Sequence, residues 1–130
     1  MIVVDASVVV DLLTATGGTT RLQERLVGES LVAPDILPVE VASALRGLNQ
    51  GGLLSDDDLG GAASDLSRLR IELFASLPLV PRALDLRHDF SAYDAAYVAL
   101  AEVSECTLLT IDRRLARAAA AHCAVEMPER

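Results

Sequence analysis

Short, uniformly apolar runs alternate along this chain with longer stretches whose apolar residues recur every three or four positions, as strands buried on both faces and amphipathic helices do. The first run is Ile2, Val3 and Val4, ended by Asp5. From Ala6 to about residue 15 the spacing of Val8, Leu12 and Leu13 fits a helix. Gly17 and Gly18 supply its stop, and Thr19 or Thr20 caps a second helix, whose stripe includes Leu22 and Leu26 and which closes at Gly28. Leu31, Val32 and Ala33 read as a second strand ahead of Pro34. Asp35 is then placed to cap a helix running to about Asn49, with Pro38 in its first turn, where a missing N–H does little harm.

After a turn at Gly51 and Gly52, Ser55 and Asp58 have capping-box spacing. The helix they open is expected to reach Leu69 and to be the least stable, because Gly60 and Gly61 weaken it. A strand over residues 71–74, a short helical segment over 80–87 and a stronger helix from near Ala92 follow. Residues 107–111 form a further buried strand, 112–121 a helix and 124–127 an edge strand. Strands separated by helices predict the α/β class, a three-layer α/β/α sandwich with a mostly parallel central sheet. Neither an internal repeat nor a long linker divides residues 1–130, so the chain reads as a single domain.

Composition narrows the chemistry. At 52% hydrophobic, the 130 residues suffice for a sizeable core. Against 19 Asp and Glu stand 11 basic residues, all of them Arg, for a net charge of -8. Such a field repels polyanions and excludes a broadly basic nucleic-acid binder. Without lysine there is no phosphate-loop lysine and no Schiff-base amine. Cys106 and Cys123 are too few for a disulfide framework or a cysteine zinc site, and His88 and His122 do not make up the deficit, so a reducing cytoplasm is the expected setting. The N-terminal apolar run lacks a basic lead and is broken by Asp5 and Asp11, unlike a signal peptide or membrane span.

Four acids stand in apolar surroundings. Asp5 is the only charge in the first ten residues, Glu40 the only one in 36–45, Asp94 the only one in 92–101, and Asp112 directly follows 107–111. Carboxylates so placed carry a desolvation cost unless cations or hydrogen bonds compensate. Each has an ordinary explanation as well: Asp5 and Asp112 can cap the helices they precede, Asp94 forms a capping box with Ser91, and Glu40 can lie on an exposed stripe. As a set they suggest more. Asp5 and Asp112 both leave predicted strands at the carboxyl edge of a parallel sheet, where α/β folds bind ligands. Four gathered carboxylates repel one another unless a hard divalent ion reverses the sign, which points to magnesium or manganese and to phosphodiester hydrolysis by an activated water. Ser7 and Thr110 are hydroxyls placed to orient a carboxylate, a water or a phosphate oxygen, or to serve the local backbone.

Four segments then resemble a known family: residues 2–11, the segment 34–45 with its Pro-x-x-Leu-Pro-x-Glu-like core ending at Glu40, the run Tyr-Asp-Ala-Ala-Tyr-Val-Ala-Leu-Ala-Glu over 93–102, and Leu-Leu-Thr-Ile-Asp-Arg-Arg-Leu over 108–115. In this order they resemble PIN-domain nucleases of the VapC-like toxin branch, and the likeness spans nearly the whole chain. The resemblance implies a small ribonuclease with an acidic metal site built from Asp5, Glu40, Asp94 and Asp112. It also implies a VapB-like antitoxin that lays a C-terminal segment, often with a basic side chain, in the active-site groove. A homodimer is a further implication, to which the Leu-rich segments 53–73 and 77–86 can contribute apolar surface.

For RNA contact the chain offers Arg113, Arg114 and Arg117 just beyond Asp112, which either touch phosphates or form a solvated helix face. Two Phe and two Tyr are poor material for an extended stacking surface, and Tyr93 and Tyr97, four apart, are expected in core or subunit packing. The two His are expected at the polar surface or in packing, the two Cys as small hydrophobes, and Asp11 and Asp89 toward solvent. Two other classes compete with the nuclease. One is a catalytically silent regulator that binds a small protein through its acidic cleft; the other is an aspartyl-phosphate phosphoryl-transfer domain, which the absence of lysine disfavours.

Overall fold

A computed structural model describes residues 1–14 and 19–129. Strands β1 (Ile2–Val4), β2 (Leu31–Pro34), β3 (Ile71–Phe74), β4 (Thr107–Leu109) and β5 (Val125–Glu126) form one sheet in the order β3-β2-β1-β4-β5. Every pairing among the described residues is parallel, in keeping with the mostly parallel sheet expected. Helices α1 (Ala6–Thr14), α2 (Thr19–Leu26), α3 (Leu37–Gln50), α4 (Asp56–Leu66), α5 (Val80–Asp85), α6 (Ala92–Ser104) and α7 (Arg113–Ala119) flank it, giving the expected α/β/α sandwich. Among the described residues no helix is long and apolar enough to cross a membrane.

Strands β1, β2 and β4 are buried because their sequences are apolar on both faces: Val3, Val4, Leu108 and Leu109 are fully enclosed, whereas the edge strands β3 and β5, which carry Glu72 and Glu126, are only partly covered. The middle of helix α6 is apolar all round, burying residues 95–101 without a break, and the helix packs on β1, β2 and β4. Its Ala-rich sequence lets it lie close to the sheet. From β1 the chain steps outward to β2 and β3, then returns to place β4 on the other side of β1. The crevice between β1 and β4 is therefore the topological switch point, where an open parallel sheet leaves room at its carboxyl edge.

Local departures from expectation have physical causes. Asp35 does not cap α3, whose N-cap is Ile36 with no side-chain bond; its Oδ1 instead accepts the Ser76 N–H at 3.2 Å, tying the end of β2 to the loop after β3. Pro34 belongs to β2, and Pro38 sits in the first turn of α3 as expected. Ser55 caps α4 through the Asp58 N–H at 3.1 Å, but that helix ends at Leu66 and fully buries only Ala62. A 3-10 turn at Leu77–Leu79 leads into α5, and α7 begins one residue after Asp112, which is its cap. Strand β4 stops at Leu109, so Thr110 and Ile111 belong to the turn beyond it. The stop expected at Gly17 and Gly18, and the Thr19 and Thr20 side chains, lie outside what is described.

Candidate functional site: four carboxylates at the sheet edge

Asp5 follows β1 directly and is only 5% exposed. Its carboxylate accepts three hydrogen bonds: Oδ1 from the Ser7 hydroxyl at 2.6 Å and from the Val8 N–H at 3.2 Å, and Oδ2 from the Thr110 hydroxyl. The Val8 bond makes Asp5 the cap of α1, as its position allowed. Both hydroxyls are held in turn by the opposite strand end: Ser7 Oγ accepts the Ile111 N–H at 3.1 Å, and Thr110 Oγ1 accepts the Asp112 N–H at 3.0 Å. One network thus fastens the ends of β1 and β4 together and fixes both oxygens of Asp5.

Asp112 caps α7, Oδ1 accepting the Arg114 and Leu115 N–H groups at 2.9 and 3.2 Å. Asp94 stands in the first turn of α6, whose cap Ser91 accepts the Asp94 N–H at 3.1 Å. Glu40 lies in the first turn of α3, and its Oε1 accepts the Tyr97 hydroxyl at 2.7 Å. Tyr97 is 1% exposed, so the hydroxyl that anchors Glu40 is part of the core of α6. Composition assigned that ring to packing alone. The clue was present: a buried Tyr needs a partner for its hydroxyl, and residue 97 lies one helical turn from Asp94 on the same face.

The electrostatics bind the four acids into one ring. Burial is the chief cause that raises the Asp5 carboxyl, opposed by its hydrogen bonds to Ser7, Thr110 and Val8, and the charge of Asp112 pushes it up further. Glu40 is raised by burial, eased by Tyr97, and raised again by Asp94 and Asp5. Asp94 is raised by burial and by Asp112, while Arg114 and Ser91 ease it. Asp5, Asp112, Asp94 and Glu40 thus feel one another around a closed circuit, although they come from four distant segments.

This donor set is all oxygen, and its repulsion is relieved on the protein side at Asp94 by Arg114, which suits a hard divalent cation. Among the described residues no three His, Cys, Asp or Glu side chains stand close enough to hold one ion together, so the carboxylates do not converge on one point. Beside them runs a groove of about 780 Å³ lined by Ser7, Val10, Val39, Glu40 and Tyr93 among others. A smaller hollow of about 110 Å³ holds Asp94 with Arg114, Ser91 and Asp89.

The arginine trio is divided. Arg114 faces Asp94, whereas Arg113 and Arg117 line a separate hollow with Val125 and Met127. Tyr93 is exposed on the groove and is not core. Asp11 is buried, contrary to its expected solvent-facing place, and Asp89 is exposed. His122 packs edge-on against Phe90 with ring centroids 5.7 Å apart, His88 is exposed, and the two cysteines are unpaired and half-buried.

Residues 2–121 match the family described as PIN domain. The chain is 37% identical over its full length, and over the relative's full length, to the VapC ribonuclease Mb0985 of Mycobacterium bovis. It is 35% identical over 98% of each chain to ribonuclease VapC12 of Mycobacterium tuberculosis. Among solved structures, VapBC2 of Rickettsia felis, bound to a DNA fragment from its promoter, superposes with a TM-score of 0.72 at 13% identity, covering 99% of this chain and 100% of that one. FitAcB of Neisseria gonorrhoeae does so at 0.68 and 20% identity, covering 96% of both.

Proposed function

Because the chain belongs to the PIN-domain family, on its VapC-like toxin branch, we propose that it is a divalent-metal-dependent endoribonuclease acting as the toxin of a toxin–antitoxin pair. The observation that carries this reading is the ring of Asp5, Glu40, Asp94 and Asp112 at the β1–β4 switch point, where burial and neighbouring carboxylates raise Asp5, Glu40 and Asp94. A protein built only for stability has no reason to gather such charges, whereas a polar site for a cation and a phosphate does. The relatives named as ribonucleases support the substrate class.

In this reading Asp5, Glu40, Asp94 and Asp112, which do not converge on one point in the structure, would hold magnesium or manganese, which when bound would supply an activated water and charge stabilisation for phosphodiester hydrolysis. Ser7 and Thr110 keep both oxygens of Asp5 in place, and Tyr97 holds Glu40 through Oε1, so that Oε2 is not used by that bond. Arg114, next to Asp94, is the arginine positioned to meet a phosphate at the acids, with Arg113 and Arg117 reaching the strand further along. A VapB-like antitoxin would neutralise the toxin by placing a basic side chain among the acids, where it finds the charge it complements. A homodimer is part of the reading, supported by exposed Leu77, Leu84 and Leu73.

The test is cleavage of a broad transcript pool with and without manganese or magnesium, followed by mapping of the cut ends. Cleavage is expected only with the metal, and D5N is expected to lose at least about a hundredfold in rate, the scale of one positioned acid–base group. Cleavage that persists in a purified D5N/D94N double variant, or that survives chelation, overturns the proposal. Tight partner binding with no cleavage under any metal would favour the silent regulator.

A further inference from the structure

Of the four aromatic side chains, Phe90 and Tyr97 are buried and Phe74 is half-buried; Tyr93 alone is exposed, at 59%. It is also the one that lines the groove beside Glu40, together with Ser7, Ser43 and Ala44. Its place follows from the helix. Ser91 caps α6, so Tyr93 and Asp94 are the second and third residues of its first turn and project about 100° apart around the axis. Asp94 faces Arg114 in the smaller hollow, and Tyr93 faces the larger groove. The hydrogen bond of Ser91 to the Asp94 N–H holds the turn that carries both.

We infer that Tyr93 is a substrate-positioning residue, a platform on which one base of single-stranded RNA stacks so that the adjoining phosphate lies at the carboxylates. This rests on the ribonuclease reading above and adds to it where the chain grips its substrate. In a protein with a net charge of -8 and acids lining the site, grip on the backbone alone is weak. A base is uncharged, and its stacking on an aromatic face does not suffer from the surrounding carboxylates. Val39, 74% exposed on the same groove, gives an apolar edge against which a stacked base is shielded from water. Ser7 and Ser43 line the groove with hydroxyls able to meet base edges. One platform serves one base, which favours an unpaired nucleotide over a duplex, whose bases are already stacked.

The chain has no Trp, so Y93W installs a sole indole reporter at this point. A mixed-sequence single-stranded RNA of about ten nucleotides, a usual length for such sites, is titrated into Y93W in the presence of chelator, which allows binding without cleavage. Quenching of the indole is expected with the single strand and much less with the same RNA annealed to its complement. In metal-supported cleavage, Y93A should raise KM roughly ten- to a hundredfold with kcat little changed, as removal of ground-state stacking does. Y93F and Y93W should retain wild-type KM, and Y93L, apolar but without a ring, should not. Because the side chain is exposed, all four variants should unfold at the wild-type temperature. If Y93A or Y93L cleaves with unchanged KM, or the Y93W emission ignores RNA while the protein still cuts it, the platform is wrong and the ribonuclease reading stands. A wild-type protein that neither binds nor cuts RNA overturns both.

Discussion

Around Arg25, where α2 meets β5, acid is matched to base: Nε and Nη2 donate to the two oxygens of Glu126 at 2.6 and 3.0 Å, and Nη1 donates to Glu29 at 3.0 Å. Arg21 reaches Glu129 nearby at 3.4 Å. At the carboxyl edge of the sheet the same chain does the reverse. Asp5 is held by hydroxyls and an N–H, Glu40 by a phenol, and the arginine that eases Asp94 is exposed. Hydrogen bonds to neutral donors keep these acids in position but leave their charges uncancelled. The contrast separates acids that hold the fold together from acids that are kept available, at some cost in stability, for something that brings positive charge.

One substitution made in both regions tests that division most strongly. E40Q should lower RNA cleavage by about a hundredfold or more while the protein remains folded, because the amide still accepts from Tyr97 and removes a repelling charge. E126Q should leave cleavage alone. Loss of activity in E126Q equal to that in E40Q would erase the distinction.

Y97F sharpens the comparison by removing the neutral donor instead of the acid. Deleting that hydroxyl should cost about 1 kcal/mol of stability. It should also raise the Glu40 carboxyl further, since the bond it removes is one that lowers it. The acid limb of the pH–rate profile should therefore move to higher pH, and an unmoved limb would show that Glu40 does not govern it.

The stability profile in chelator gives a smaller and opposite-signed signature to that of ordinary paired acids. Asp5, Glu40 and Asp94 all hold their protons more tightly in the folded chain than at their usual values of 3.8, 4.5 and 3.8. The folded state thus binds more protons than the unfolded one, and unfolding temperature should fall as pH rises through the raised folded values. Manganese should counter that loss at neutral pH by binding the ionised acids. A profile in chelator that rises over this range, with no response to manganese, would contradict the uncompensated ring.

The smallest effect belongs to the corner itself. Arg25 and Glu126 are both about one-third exposed, so water screens the pair. E126Q should cost about 0.5–1 kcal/mol by thermal unfolding, less in high salt. An unfolding temperature equal to wild type at low salt would show that the bidentate pair adds nothing.

Several site features that looked like alternatives in the sequence turn out to coexist. Asp5 and Asp112 cap α1 and α7, and Asp94 sits in a turn capped by Ser91, yet all three also lie in the charge ring. A cap uses one carboxylate oxygen or one backbone N–H, so Asp112 can serve the helix through Oδ1 and leave Oδ2 facing elsewhere. Asp35 shows the opposite case. It has a helix-start position in the sequence but bonds Ser76, because parallel pairing of β2 with β3 brings that loop alongside. Residue 35 cannot signal this, since the partner is 41 positions away.

What local pattern decided is the sandwich: apolar β-branched runs can satisfy their backbones and bury both faces only inside a helix-covered parallel sheet, and isolated acids at the ends of those runs must emerge at one edge. What needed the folded chain is which side chains hold the acids and which face open space. The Ser7–Ile111 and Thr110–Asp5 bonds span the β1–β4 crevice, Tyr97 reaches Glu40 from another helix, and Arg114 parts from Arg113 and Arg117 by rotation about α7. Hydrogen bonds and charges act over a few ångströms in space, whereas periodicity reports only neighbours along the chain.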